Sequence, residues 1–193
     1  MAKRKYEFQP DRPQTSILEK LYLTKQQRTT LLRWALHALV VLALSLIQDV
    51  MLCRMSIFGA TTDLVPGAIF TLCVLLGTER GCVFSLAAGA LFEFSGSGPG
   101  FHAIALIPAI AIGFSMLQQA LLRKGTSSDL LTSTIAIMVY ELAIFTIGVA
   151  TGETAMFRLV SAAATGVMTV ICSFILYPIF TAIEKIGGNT WNA

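Results

Sequence analysis

The sequence predicts an all-α membrane protein, a polytopic bundle of about six transmembrane helices. Only 13% of its residues are charged while 55% are hydrophobic, whereas about a quarter of the residues in a soluble domain are charged. The apolar residues form runs that approach or reach the roughly 20 residues needed to cross a bilayer as a helix. These runs lack the alternation typical of barrel strands, so helices are the structure that can satisfy their backbone in lipid.

The chain is predicted to hold one folded domain between two tails. Residues 1–31 form a basic N-terminal tail, residues 32–185 the transmembrane helical domain, and residues 186–193 a short C-terminal tail. Apolar residues at helical spacing in 17–22 predict a short helix on the membrane surface. The capping spacing of Thr24 and Gln27 predicts the start of the helix that enters the membrane.

Six apolar spans are predicted between the tails. They cover residues 32–52, 64–78, 81–94, 102–122, 130–150 and 156–183. The second and third spans, at about 15 residues each, are short for a bilayer crossing, so a re-entrant hairpin is the alternative for this pair. Arg80, in the connection between them, distinguishes the two. It lies at the cytoplasmic boundary if the pair crosses, and at mid-depth if it does not.

The basic residues predict the orientation, because cytoplasmic loops carry an excess of Lys and Arg. Of the fourteen basic residues, only Arg54 and Arg158 fall on one side of the predicted membrane, and the other twelve fall on the opposite side. Both termini are therefore predicted to be cytoplasmic. This placement of charge fits a membrane protein, and no nucleic acid is predicted as a partner.

Small residues recur on one face of the third span. Gly81, Ser85, Gly89 and Glu93 are spaced by four residues, which places them on the same side of a helix. Two interpretations are open: internal helix packing that ends in an interfacial carboxylate, or a surface that holds a partner's helix. The fourth span carries small residues at the same spacing, and they are Ala105, Ala109 and Gly113.

Polar residues inside the spans are the other candidates, since ionisable groups in lipid are costly. The predicted buried polar residues are Asp49, Glu141, Thr165, Thr169 and Tyr177. Hydrogen bonds between helices are one interpretation. The wall of a ligand cavity is the other, with Glu141 as a site for a cation or a proton.

No catalytic, cofactor or metal site is predicted. The four cysteines form no CxxC pair and do not have metal-ligand spacing. A phosphate-binding glycine loop and an HExxH motif are also missing from the sequence. We therefore expect a protein that is not an enzyme.

Three stretches resemble the rod shape-determining protein MreD family. They read TDLVPGAIF, then GCVFSLAAGALFEFSGSGPGFHAIAL, and finally ILYPIFTAIEKI. In the second stretch Gly89, Gly96 and Gly100 fall where the glycines of that family fall. Glu93 stands where the family usually has aspartate.

The resemblance implies a non-enzymatic component of the machinery that elongates rod-shaped bacteria and synthesises their peptidoglycan. Such a protein lies in the bacterial cytoplasmic membrane and binds the bitopic protein MreC. Through MreC it is linked to MreB, RodA and a penicillin-binding synthase. The implied fold is similar to the substrate-binding subunits of energy-coupling-factor transporters. The interface candidates on this hypothesis are Gly81, Ser85, Gly89, Glu93, Gly96, Gly100, Ala105 and Ala109.

A different functional class is the alternative, namely the substrate-binding membrane subunit of a vitamin or small-molecule importer. Its pocket would then be lined by Glu141, Asp49 and the polar residues on one face of the sixth span, which are Ser161, Thr165, Thr169, Ser173 and Tyr177. Such a pocket needs a cavity with a few convergent polar groups.

Overall fold

The computed structural model describes residues 25–51, 60–95, 102–122 and 125–186. Within these residues the chain forms six α-helices, and a 3₁₀ turn at Met156–Arg158 leads into the last of them. The helices are α1 Lys25–Val50, α2 Leu64–Leu76, α3 Thr78–Phe94, α4 His102–Leu121, α5 Thr126–Ala150 and α6 Leu159–Glu184. The predicted surface helix at 17–22 lies outside the described residues.

The structure confirms a helical membrane bundle. Four segments are long and apolar enough to cross a membrane, and they are Gln27–Val50, His102–Leu121, Thr126–Ala150 and Met156–Glu184. Large apolar side chains cover the outside of these segments; for example, Leu39 is 63% exposed and Val160 78% exposed. Such an apolar exterior is stable in contact with lipid but not in water.

Helix α2 forms the centre of the bundle. Every residue from Leu64 to Val74 is buried, and α2 packs against each of the other five helices. An α-helix that is apolar on all sides is typical of such a position. Gly67 permits a close approach of α2 to α6, because a Cβ atom on Gly67 would lie 2.7 Å from Cγ2 of Thr169 on α6.

One end of the bundle holds the start of α1, the α2–α3 turn and the ends of α4 and α6. Nη1 of Arg33, near the start of α1, lies 3.5 Å from Oε2 of Glu184 at the end of α6. Nε of Arg33 also donates a hydrogen bond of 2.7 Å to the carbonyl oxygen of Ile186. The α2–α3 turn at Gly77 lies beside Gln119, near the end of α4. We call this side of the molecule the Arg33 end.

The α2–α3 pair reaches the Arg33 end. Arg80 lines a polar cavity there of about 350 Å³, together with Gly77, Gln119 and Glu184. Arg80 therefore lies beside the ends of α4 and α6. Successive helices therefore run in alternating directions.

Candidate functional site

The small-residue face of α3 is packed against the chain's own helices. A Cβ atom on Gly81 would lie 3.0 Å from Cα of Cys73 in α2. Ser85 is fully buried, and its hydroxyl donates to the carbonyl oxygen of Cys82 at 3.0 Å. Gly89 is buried against α4, where a Cβ would lie 3.7 Å from Ile107. These three residues therefore pack against helices of the same chain, as the first of the two interpretations expects.

Gly81, Ser85 and Gly89 are thus buried within the bundle. The face that remains open is on α4. Ala105 and Ala109 are exposed, and a Cβ atom on Gly113 would meet no atom within 4 Å. Gly96 and Gly100, the other interface candidates, lie outside the described residues.

Tyr140 and Glu141 are adjacent in α5, and both are buried. The hydroxyl of Tyr140, Oε1 of Glu141 and Oε2 of Glu93 have no hydrogen-bond partner among the described residues. Asp63 precedes α2, Glu93 lies at the end of α3, and Glu141 lies in the middle of α5.

The start of α2 is held by side chains from two other helices. The backbone N–H of Asp63 donates to Oγ1 of Thr169 on α6 at 3.1 Å. The N–H of Val65 donates to Oε1 of Gln48 on α1 at 2.8 Å. The first N–H groups of a helix have no partner within that helix, and inside a membrane water does not supply one. Thr169 and Gln48 therefore allow α2 to begin within the bundle.

A second polar contact connects α5, α6 and α4. The hydroxyl of Tyr177 donates to Oδ2 of Asp129 at 2.9 Å, and Nε2 of Gln118 donates to Oδ1 of the same carboxylate. For Tyr177 and Thr169, the structure shows the predicted hydrogen bonding between helices. Asp49 and Thr165, also predicted to be buried, are only partly buried.

Glu141 lies at a small apolar cavity between α5 and α6. The cavity has a volume of about 80 Å³, and its lining includes Met138, Leu142 and Leu159. Gly166 lies close to Glu141, because a Cβ at this position would lie 3.4 Å from Cγ of Glu141. Ligand pockets for drug-sized molecules are usually about 300–1,000 Å³. Thr169 and Tyr177 do not line this cavity, so it gives the importer alternative no support.

No protein-family model, curated protein or solved structure matches this chain. Its functional interpretation therefore depends on its own residues and geometry.

Metal binding is not indicated by the geometry. Within the described parts of the chain, no group of three His, Cys, Asp or Glu side chains is placed so that it could hold a metal ion.

Sequence reasoning did not select Asp63, Tyr140 or Gln48 as site residues. Two signals for the first pair are visible in the sequence: Asp63 directly precedes an entirely apolar helix, and Tyr140 is adjacent to Glu141. Neither signal shows that residues so far apart along the chain meet. That depends on the central position of α2.

Proposed function

We propose that this chain is a non-enzymatic membrane scaffold of the MreD type, acting in bacterial cell elongation. The resemblance in residues supports the family, and the helical membrane bundle is the architecture that such a role requires. The observation that carries the proposal is the open face of α4 formed by Ala105, Ala109 and Gly113. Helices associate in lipid through small residues that allow close backbone approach, and none of the helices in the described parts of the chain covers that face.

The proposed topology has six crossings of the cytoplasmic membrane, with both termini in the cytoplasm. The basic residues at the Arg33 end support this orientation. At 1.5 Å per residue, α2 and α3 are only about 20 and 25 Å long, against a hydrocarbon core of about 30 Å. Their position inside the bundle makes a shorter crossing tolerable, because protein rather than lipid surrounds α2 and the packed face of α3.

The proposed direct partner is a bitopic membrane protein of the MreC type, whose transmembrane helix packs on the α4 face. Through that partner the scaffold is linked to MreB, RodA and a penicillin-binding synthase. The bilayer is the remaining partner, and it contacts the apolar exterior.

The test is co-purification of the tagged full-length chain from native membranes. We expect an MreC-type protein to be recovered with the unmodified chain and several-fold less of it with Ala109→Leu, because the larger side chain prevents close helix approach. Ala35→Leu is the matched control, since Ala35 is exposed on α1. It should leave recovery unchanged. Expression and membrane insertion are measured for each variant.

Two results would count against the proposal. Undiminished recovery with Ala109→Leu would remove the α4 face as the interface. Recovery of two ATPases and a coupling subunit, without an MreC-type protein, would replace the scaffold by an importer subunit.

A further inference from the structure

The polar cavity at the Arg33 end carries an inference independent of the scaffold function. Its volume is about 350 Å³, and its walls come from the α2–α3 turn, the start of α3 and the ends of α4 and α6. Cavities that hold small molecules usually have volumes of about 300–1,000 Å³, whereas one water occupies about 30 Å³ in the liquid. The cavity is therefore large enough for a small polar molecule or for the headgroup of a lipid.

Side chains of both charges line this cavity. Glu79 and Arg80 lie in the first turn of α3, and Glu184 lies at the end of α6. Glu184 is already engaged, because its Oε2 lies 3.5 Å from Nη1 of Arg33. Within the described parts of the chain, the side chains of Glu79 and Arg80 form no ion pair or hydrogen bond. One positive and one negative group thus remain available to a ligand.

Hydrogen-bond donors lie on the same side of the cavity as Arg80. The Gln119 amide approaches the turn closely, since a Cβ atom on Gly77 would lie 2.9 Å from its Nε2. The N–H of Gly81 donates to the carbonyl oxygen of Gly77 at 2.8 Å, so the N–H groups of residues 78–80 have no partner within α3. Such N–H groups favour anions. They add to the positive charge of Arg80.

The cavity lies where the membrane-spanning segments end. Gln119 belongs to the last turn of the segment His102–Leu121, and Leu121 is 72% exposed, as expected of a side chain that contacts lipid. Glu79 is also exposed, but it is charged and is stable only where water reaches it. The remaining lining includes Leu75 and Leu76. A ligand in this cavity can therefore combine a polar headgroup with chains that stay in the bilayer.

We propose that this cavity binds the zwitterionic headgroup of a phospholipid, a phosphate diester joined to a primary ammonium group, as in phosphatidylethanolamine. The guanidinium of Arg80 donates hydrogen bonds to the phosphate oxygens, for which its geometry is suited. The carboxylate of Glu79 accepts a hydrogen bond from the ammonium group. Basic pockets between membrane helices bind anionic headgroups, whereas the acidic group beside Arg80 favours a headgroup that also carries a positive charge.

The experiment is native mass spectrometry of the purified full-length chain in detergent, titrated with phospholipids that differ only in their headgroup. We expect phosphatidylethanolamine to bind several-fold more tightly than phosphatidylcholine, whose quaternary ammonium has no N–H to donate. It should also bind several-fold more tightly than phosphatidylglycerol, which has no positive charge. Free phosphoethanolamine is titrated in parallel, and binding as tight as that of the lipid would overturn the assignment to a membrane lipid.

Two variants separate the charges of the headgroup. Arg80→Gln should weaken the binding of phosphatidylethanolamine and phosphatidylglycerol alike, by several-fold, because both lose a phosphate contact. Glu79→Gln should weaken only phosphatidylethanolamine and bring it to the level of phosphatidylcholine. Arg158→Gln and Glu153→Gln are the matched controls, since they remove the same charges at exposed positions outside the cavity. They should leave the binding of all three lipids unchanged.

Three results would overturn the proposal. The first is equal binding of the three lipids by the unmodified chain. The second is unchanged phosphatidylethanolamine binding in Arg80→Gln or Glu79→Gln, with helical circular dichroism retained. The third is a preference for phosphatidylglycerol, which would replace the zwitterionic headgroup by an anionic one. The headgroup comparison and Glu79→Gln decide the matter if Arg80→Gln does not fold, and none of these measurements depends on a protein partner.

Discussion

At the scale of single residues, Gly67 sets the distance between α2 and α6. A Cβ atom there would lie 2.7 Å from Cγ2 of Thr169 and 2.8 Å from Oγ of Ser173, and both side chains are buried. We expect Gly67→Ala to lower the free energy of unfolding by about 1–3 kcal/mol, the usual cost of overpacking a core. Denaturant titration in detergent micelles, followed by circular dichroism, measures this change.

Gly113→Ala is the control for this substitution, because a Cβ at Gly113 meets no atom within 4 Å. Replacing glycine by alanine within a helix favours the helix by up to about 1 kcal/mol, and both variants share this gain. The control should therefore be as stable as the unmodified chain, or slightly more stable. Equal effects of the two substitutions would show that α2 and α6 do not approach as closely as described.

Arg33 ties the two ends of the folded chain together, through the Glu184 carboxylate and the Ile186 carbonyl oxygen. The side chains of Arg33 and Glu184 are only 11% and 22% exposed. We expect Arg33→Gln to lower the free energy of unfolding by about 1.5–3 kcal/mol, the range for hydrogen bonds to charged groups. Arg28→Gln, at an exposed position of α1, should change it by less than about 0.5 kcal/mol. A loss of the same size for both variants would contradict the role of this contact.

At the scale of helices, the central position of α2 predicts that close packing stabilises this helix more than the transfer of its side chains out of lipid does. An apolar side chain gains little by moving from lipid into a protein interior, because both surroundings are apolar. The stabilisation by Phe70, which is 0% exposed, therefore comes from close packing. Its ring lies 5.5 Å from that of Tyr140, centroid to centroid, in an edge-on arrangement.

Phe70→Ala is accordingly expected to destabilise the bundle chiefly through the cavity it leaves. We expect a loss of about 2–4 kcal/mol, below the full range for such changes in soluble cores. Phe94→Ala is the matched control, since Phe94 is 83% exposed at the end of α3, and it should have little effect. Unfolding of the two variants in detergent measures the difference. A Phe70→Ala variant as stable as Phe94→Ala would show that α2 is not the tightly packed centre.

Helix bounds were predictable because apolar runs and polar breaks are local properties of the sequence. The span predicted at 102–122 corresponds to the helix His102–Leu121, and the span predicted at 130–150 corresponds to the helix Thr126–Ala150. The face of α3 was also predictable from its four-residue spacing. The same spacing does not distinguish packing against α2 from packing against another protein, because small residues serve both purposes in lipid.

At the scale of the whole molecule, the long-range contacts around α2 could not be predicted. The N–H of Asp63 donates to Thr169, 106 positions further along the chain, and this contact depends on how the helices around α2 are arranged. Periodicity within one helix contains no information about that arrangement. Glu141 was selected because it is ionisable and lies within a long apolar run, but its neighbours became visible only in the folded bundle.

The proposed role depends on which side of the membrane each end of the bundle faces. Glu79 is exposed beside Arg80 at the Arg33 end, and Glu153 is exposed in the connection between α5 and α6. The four native cysteines are replaced first, and Glu79→Cys or Glu153→Cys is then treated with a membrane-impermeant maleimide. The excess of basic residues at the Arg33 end predicts that Glu153→Cys is labelled in intact cells and Glu79→Cys only after the membrane is opened. The reverse pattern would place the basic tail outside the cell, where it could not meet a cytoplasmic filament. Labelling of both positions in intact cells would contradict a complete crossing between them.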